Sequence, residues 1–338
     1  MLYLSIPTKH DLDGYYKLLE KKIADAIKEI ASNEVKTFLT PDRIKLIIQD
    51  EPKKLLNHHM DSMKYLINKF NDKEYTNYIV VRNKKKKDKT DTELIKRYQI
   101  VEEIFKVFNY TEFISGSKSL SYKFAAQLKR NTCTYCNRLY TQTIITGDVK
   151  TGGRNNSERI TRPEFDHWFP KYKYPILSLS YYNLIPSCSV CNSSVKSSSN
   201  FTLDSHTHPY IKESGQEFTF SYHSKSIHEN NVILKFPKDS KIANTLKDFK
   251  TGEIYNAHSN LELKDLLELK YKYSENYLDI LLNRTFTSIG LTEKEAYRLI
   301  FGIEIDEEKL HKRPLSKFKK EIIAELLQTD KKNTLLNE

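Results

Sequence analysis

The chain has 338 residues, which is enough for one large domain or two to three small ones with a buried core. Hydrophobic residues make up 38% and charged residues 29%, a composition that excludes an intrinsically disordered chain, and no apolar run is long enough for a transmembrane helix. The formal net charge of +11 favours a nucleic-acid partner, because neutralising phosphates releases counterions, although many lysine-rich proteins are basic without a functional reason.

Residues 1–120 are predicted to form a mainly helical region. Apolar side chains recur at three- and four-residue spacings over 14–31 and over 92–109, as in amphipathic helices. The segment YTNYIVV (75–81) has strand propensity or is a buried apolar run. The run RNKKKKDK (82–89) fits a solvated loop, and a phosphate-binding loop is the alternative. The apolar stretch at the N-terminus is too short for a signal peptide, and charged residues follow it too soon. We therefore expect a cytoplasmic protein with no membrane partner.

Residues 121–238 have a different character and are predicted to form the functional domain. The segments with β-like composition or alternation are 139–146, 159–169, 217–223 and 231–236. A polar loop is expected over 147–158, with Gly152 and Gly153 as its turn signal. The segment 192–200 fits a short helix that frays.

Residues 239–338 return to a helical pattern. The predicted helices are 261–284, 292–302 and 314–327. Thr292 and Glu295 form a capping-box pattern at the start of the second of these, which ends at Gly302. Pro314 suits the first turn of the last one, because a proline there sacrifices no helical hydrogen bond.

The cysteines form two C-x-x-C pairs and there are no others. They are Cys133, Cys136, Cys188 and Cys191. Each pair can present two thiolates from one tight turn, so the two pairs together can hold one tetrahedral Zn²⁺. A single C-x-x-C could be a redox motif, but two pairs with no spare cysteine favour structural zinc. Four sulfur ligands close the coordination sphere, so any catalysis has to come from other residues.

Two motifs accompany the cysteines. EFDHWFP (164–170) lies between the two pairs, and YYNLIPSCSVCNSSVK (181–196) contains the second pair. In order they contain Asp166-His167, Pro170, Asn183-Leu184, Cys188-x-x-Cys191-Asn192 and Lys196. This pattern resembles the HNH (ββα-metal) endonuclease family, over roughly residues 130–200. The resemblance implies an α+β protein in which a ββα-metal core, stabilised by the four-cysteine zinc site, is flanked by N- and C-terminal helical regions.

The resemblance also implies roles for single residues. Asp166 and Asn192 would bind a catalytic Mg²⁺ or Mn²⁺, and His167 would be the general base for a water molecule. Asn183 is expected to brace the loop that orients His167. Lys196 is either a phosphate ligand or an ordinary surface lysine. The family often has histidine at the position of Asn192, but asparagine still offers an amide oxygen to a metal ion.

The function expected from the resemblance is an endonuclease, with DNA favoured over RNA. The alternatives are the same chemistry on RNA, or a catalytically silent zinc-stabilised module that binds nucleic acid or protein. The segments NTCTYCNRLYT (131–141), DHWFPK (166–171) and YPILSLSYYNLIPSC (174–188) resemble bacterial HNH nucleases of anti-phage defence, such as the nuclease subunit of Septu-type systems. That likeness implies an ATPase as a partner that restrains or triggers the nuclease.

Overall fold

The structure is a computed structural model that describes residues 1–338 except 147–148, 152–153, 157, 198, 225–228, 272–279, 281–283, 286–289 and 337–338. Helices form most of its N-terminal part. They are α1 (Lys9–Glu29), α2 (Asn33–Phe38), α3 (Pro41–Gln49), α4 (Pro52–Leu66), α5 (Asp72–Arg82), α6 (Lys89–Arg97), α7 (Ile100–Val107) and α8 (Lys118–Leu128). A π-helical segment, Thr111–Ser115, lies between α7 and α8.

Local capping explains where the N-terminal helices begin. The predicted helix over 14–31 is confirmed within α1, which begins after Thr8 with a capping box that Thr8 forms with Asp11. Prolines occupy the first turns of α3 and α4, where no intrahelical donor is needed. The single helix predicted over 92–109 is wrong in one respect, because α6 ends at Arg97 and α7 begins at Ile100.

The strand alternative for residues 75–81 is wrong, since these residues lie inside α5. The side chain of Asn71 caps the helix by accepting hydrogen bonds from the backbone N–H groups of Lys73 and Glu74. Tyr75, Tyr78 and Ile79 are buried at the three- and four-residue spacing of one helix face. The β-branched residues suggested a strand, but the cap and the burial of one helical face outweigh that propensity.

The described residues of the central region contain four separate two-stranded antiparallel sheets. Their strands are β1 (Ile144–Ile145), β2 (Val149–Thr151), β3 (Arg154–Asn156), β4 (Arg159–Thr161), β5 (Glu164–His167), β6 (Leu184–Ser187), β7 (Thr219–Ser224) and β8 (Asn230–Lys235). The pairs are β1 with β4, β2 with β3, β5 with β6 and β7 with β8.

The strand predictions are confirmed for the segments that became β7 and β8 and hold only in part elsewhere. Of residues 139–146 only the last few form a strand, β1. The segment 159–169 divides into β4 and β5 at Pro163, which has no N–H to donate to a ladder. The loop predicted over 147–158 is wrong where β2 and β3 pair, and its turn signal at Gly152 and Gly153 lies outside the described residues.

The C-terminal part is helical again, with short helices before the long last one. The helices are α9 (Lys241–Asp248), α10 (Thr251–Asn256), α11 (Lys264–Tyr271), α12 (Glu293–Phe301) and α13 (Ser316–Leu336). The capping box at Thr292 and the end at Gly302 are confirmed. The helix predicted over 261–284 is present as a π-helical segment, Ser259–Leu263, followed by α11, and its remainder lies largely outside the described residues. Pro314 precedes α13 instead of entering its first turn.

Two apolar clusters form the interior of the protein. The larger one joins the N-terminal helices to the cysteine region and includes Phe124, Phe165 and Trp168. The smaller one joins β7 and β8 to the C-terminal helices and includes Phe220 and Phe318. The clusters therefore cross the sequence limits at 120 and 238, and the division into three domains stays a prediction. None of the described helices combines the length and the apolar character that crossing a bilayer requires.

Candidate functional site

The candidate site is a β-hairpin followed by a short helix. Strands β5 and β6 pair so that Asp166 lies opposite Ile185 and His167 opposite Leu184. The chain then passes Cys188 and enters a π-helical segment, Val190–Lys196, where a short helix was predicted. The order strand, strand, helix brings Asp166, His167, Asn192 and Lys196 to the wall of one open cavity of about 540 Å³.

Asp166 is buried and both of its carboxylate oxygens accept hydrogen bonds. The Tyr135 hydroxyl donates to Oδ2 at 2.5 Å, and the Lys196 ammonium donates to Oδ1 at 3.0 Å. Lys196 also donates to the backbone carbonyl of His167 at 2.7 Å. With only 2% of its surface exposed, Lys196 is not the ordinary surface lysine that one interpretation of the sequence allowed. Its role as a phosphate ligand stays a prediction.

His167 is held by a backbone acceptor on the loop between β5 and β6. Its Nε2 lies 3.0 Å from the carbonyl oxygen of Ser178, and since a carbonyl can only accept, Nε2 carries the hydrogen. The Tyr110 ring packs edge-on against the imidazole, with 4.4 Å between the ring centroids. Burial, assisted by the positive charge of Lys171, lowers the pKa of His167. The imidazole is therefore neutral at physiological pH, and its Nδ1 can accept a proton.

Asn183 does not line the cavity but fixes the loop that carries the partner of His167. Its Oδ1 accepts from the backbone N–H of Phe169 at 2.7 Å. Its Nδ2 donates to the carbonyls of Phe169 at 3.1 Å and Leu177 at 2.9 Å. Leu177 directly precedes Ser178, so these buried bonds join the end of β5 to the residue that holds His167. They are of the kind expected of a loop brace, and their effect on catalysis stays a prediction.

Glu164 is a cavity residue to which sequence reasoning gave no role. It lies two residues before Asp166 on β5 and also lines the cavity. Its Oε2 accepts a hydrogen bond from the Asn192 amide at 2.9 Å, which fixes the side chain of Asn192. The two-residue period of a strand was the available signal, because it puts alternate side chains on one face.

Tyr135 is a second residue that sequence reasoning missed. It lies between the two cysteines of the first pair, in C-T-Y-C, and its hydroxyl reaches Asp166. Its ring stacks on Phe249, with 4.1 Å between the centroids. Nothing in the spacing of the cysteines indicates which way the intervening side chain points, so this contact could be found only from the fold.

The four cysteines converge on one buried point. Their Sγ atoms all lie within 4.8 Å of one another, and the Sγ atoms of Cys136 and Cys188 are 4.0 Å apart. A tetrahedral Zn²⁺ with bonds of about 2.3 Å requires sulfurs about 3.8 Å apart. The cluster could therefore hold a metal ion such as zinc, and among the described residues it is the one group of three or more cysteine, histidine or acidic side chains with such geometry.

A buried arginine beside the cluster supports this fit. Arg130 is 6% exposed, and its Nε and one terminal nitrogen have no hydrogen-bond partner among the described residues. Burial lowers the pKa of Arg130 to about 10, while a negative charge on Cys133 raises it. Four thiolates around a divalent cation carry a net charge of −2, so a metal-loaded cluster would supply the negative charge that Arg130 lacks.

His206 and His208, two histidines of the central region, are held by contacts with aromatic and acidic side chains. His206 Nε2 lies 3.0 Å from Asp248 Oδ2, and its ring stacks on Phe201. His208 packs on Trp168 and accepts a hydrogen bond from the backbone N–H of Tyr210. Both imidazoles therefore contribute to the packing of this region, and neither belongs to the four-cysteine group.

Comparisons of the chain with protein-family models, with curated proteins and with solved structures gave no match. The resemblance to the HNH family therefore depends on the motif residues themselves.

Proposed function

We propose that this protein is a metal-dependent endonuclease of the HNH type that hydrolyses phosphodiester bonds, most favourably in DNA. The observation that carries the proposal is the state of His167. Its Nε2 is fixed on the Ser178 carbonyl. The His167 side chain lines the same cavity as Asp166 and Asn192, in a strand-strand-helix unit. A neutral imidazole in that position is the base that phosphodiester hydrolysis requires.

The cavity also has oxygen donors of the class that Mg²⁺ and Mn²⁺ prefer. Asp166 and Asn192 would hold the ion, and Glu164 adds a second carboxylate on the same face of β5. Such an ion, when bound, would withdraw charge from the scissile phosphate. Lys196 and Tyr135 hold the Asp166 carboxylate in place, so its position does not depend on the ion.

The protein's own groups account for the proton transfer and for substrate binding. His167 Nδ1 would take a proton from a water molecule, whose oxygen then bonds to phosphorus while the bond from phosphorus to the leaving oxygen breaks. The Ser178 carbonyl would stabilise the imidazolium that forms, through Nε2–H. Arg162 and Lys171 line the same cavity and supply positive charge for the phosphate.

We propose that the metal in the cysteine cluster is Zn²⁺ and that it is structural. All four cysteines are buried and do not line the cavity, and four sulfurs leave no coordination position for a substrate. The zinc and the catalytic ion would therefore bind at separate sites and could be removed separately.

The test is cleavage of plasmid DNA, single-stranded DNA and RNA with Mg²⁺ or Mn²⁺. We expect His167→Ala to lose cleavage by at least about a hundredfold, in line with the loss of a general base, while the zinc content stays at one per chain. His223→Ala is the matched control, because His223 is exposed on β7, outside the cavity.

The three substrates separate the candidate functions. Cleavage of RNA alone would keep the chemistry and replace the substrate. If the zinc-loaded protein binds nucleic acid but cleaves none of the three substrates with either ion, both alone and with an ATPase partner added, the proposal fails and the silent binding module takes its place.

The proposal extends to a role in anti-phage defence with an ATPase partner, which depends on the resemblance of the motif segments alone. Co-purification of an ATPase encoded beside this gene, with a change in cleavage when the two are mixed, would support it. A lone protein that cleaves at full rate and does not respond to such a partner would contradict it.

A further inference from the structure

A second, smaller cavity adjoins the first on the side of the N-terminal helices. Its volume is about 220 Å³. Tyr110, Lys171 and Tyr172 line both cavities, so they form a shared wall. Ser178, whose carbonyl holds His167, also lines the smaller cavity. A group bound there would thus lie directly beside the proposed scissile phosphate.

The lining of the smaller cavity combines aromatic rings with cations. The Arg82 guanidinium lies 3.9 Å from the centroid of the Phe105 ring, and Glu102 holds it there with two hydrogen bonds of 2.6 and 2.8 Å. The Lys171 ammonium lies 5.0 Å from the centroid of the Tyr110 ring. Bases stack on arginine guanidinium planes as well as on aromatic rings, so the Arg82 plane that covers Phe105 can carry a base, and the Lys171 ammonium can bind a phosphate. This lining therefore fits one nucleotide.

We infer that the smaller cavity is a subsite for one unpaired base next to the scissile phosphate, so that the substrate is single-stranded or locally unpaired nucleic acid. The inference rests on the proposed nuclease function, because the larger cavity provides the phosphate from which the base extends. A base in an intact duplex is stacked between its neighbours and has to leave the stack before it can enter such a cavity.

The lysine run after α5 could bind the nucleic-acid strand beyond the subsite. Helix α5 ends at Arg82, in the wall of the subsite, and the run follows directly. Lys84 pairs with Asp91 at 3.0 Å, while Lys85–Lys87 are exposed. This loop is where a phosphate-binding segment was one of the two alternatives from the sequence. The next phosphates of a strand whose base fills the subsite would lie against these lysines.

The subsite is tested by binding, separately from cleavage. Thr111 is exposed and lines the smaller cavity but not the larger one, so the indole of Thr111→Trp would fill the smaller cavity. Thr92→Trp is the matched control, on the exposed face of α6 outside both cavities. Both changes are made in His167→Ala, and titration with a single-stranded oligonucleotide containing 2-aminopurine gives the affinity from its fluorescence.

We expect Thr111→Trp to weaken binding about tenfold or more, the worth of one stacked base, and Thr92→Trp to leave it unchanged. When Thr111 is intact, an abasic nucleotide at the subsite position should weaken binding to a similar extent. A blunt duplex of the same sequence should bind more weakly than the single strand. Equal binding by the two tryptophan variants, or a duplex bound as tightly as the single strand, would overturn the inference.

The binding of phosphates by the lysine run is tested separately, by the salt dependence of the affinity. Changing Lys85, Lys86 and Lys87 together to Gln should lower the slope of log affinity against log salt by about 2, because each phosphate contact on a single strand contributes about 0.7. The same change at Lys238, Lys247 and Lys250, which lie outside both cavities, should leave the slope at its original value. Equal slopes for the two triple variants would show that the lysine run does not bind the phosphates of the nucleic-acid strand.

Cleavage then distinguishes the two proposals. If the oligonucleotide binds through the subsite and wild type cleaves no substrate, the nuclease function fails while the base subsite stands. If wild type cleaves DNA and Thr111→Trp binds and cleaves like Thr92→Trp, the subsite fails while the nuclease function stands.

Discussion

Replacing Lys196 by Met tests the most unusual contact of the candidate site. Lys196 and Asp166 form an ion pair at 3.0 Å whose side chains are only 2% and 4% exposed. Methionine has a similar length and no charge, so Lys196→Met keeps most of the packing and leaves the Asp166 carboxylate buried with Tyr135 as its remaining donor. It also removes the hydrogen bond to the His167 carbonyl.

The burial of both partners sets the expected magnitude. Removing one partner of a buried pair leaves an uncompensated charge and typically costs about 3–5 kcal/mol. Urea unfolding without divalent ions should therefore show a free energy of unfolding lower by that amount. Lys171→Met is the matched control, because Lys171 is an exposed lysine at the same cavity, and it should stay within about 0.5 kcal/mol of wild type.

Magnesium should restore part of this loss if Asp166 is a metal ligand. In Lys196→Met the Asp166 carboxylate has lost a competing cation, so Mg²⁺ should bind it more tightly than in wild type. An ion at a hundred times its dissociation constant stabilises the folded state by about 2.7 kcal/mol. A loss below about 1 kcal/mol would refute the buried pair. Equal stabilisation of both proteins by Mg²⁺ would show that Lys196 and the ion do not share Asp166.

Three further predictions concern other parts of the structure. Cys191→Ser should bind zinc more weakly, measured by competition with a chromophoric chelator, because one of four sulfur ligands is lost. Asn183→Ala should lower the free energy of unfolding by about 2 kcal/mol or more in urea, because the buried N–H and carbonyl of Phe169 lose their partner, while the Leu177 carbonyl keeps its bond from the Ser180 N–H. Burial lowers the pKa of His59 from 6.5 to about 3, so the unfolded chain binds the extra proton below pH 6.5 and stability falls as the pH falls. Between pH 7 and pH 5 wild type should thus lose about 2 kcal/mol more than His59→Gln, in urea unfolding at the two pH values.

The sequence predicted which residues meet in the cavity, because their spacing is local. Asp166 and His167 end one strand of a hairpin, and Asn192 follows the other strand by a few residues, so their approach needs only the pairing of β5 with β6. Glu164 could have been included on the same argument. Tyr135 could not, since its contact joins residues that meet only after the cysteine pairs have come together.

The fold was predictable where the chain contains its own start and stop signals. The capping box at Thr292 and the glycine at Gly302 marked α12 correctly, because both act within one turn of helix. The segment 75–81 was ambiguous, since its apolar residues suit a strand as well as a buried helix face and tertiary packing decides between them. The packing of β7 against α13 could not be predicted from local sequence patterns either, because it joins distant parts of the chain.

The turn that carries the first cysteine pair joins the cysteine cluster to three other parts of the molecule. Tyr135 donates to Asp166 in the cavity, Asn137 donates to the carbonyls of Leu310 and Arg313 ahead of α13, and the Cys136 carbonyl accepts from Tyr255 at 2.5 Å. A metal ion that fixes the cysteines would thereby also fix the hydroxyl that positions Asp166. The cluster could thus influence the cavity without lining it, and a metal ion bound by the cysteines would act on the proposed site only through these hydrogen bonds.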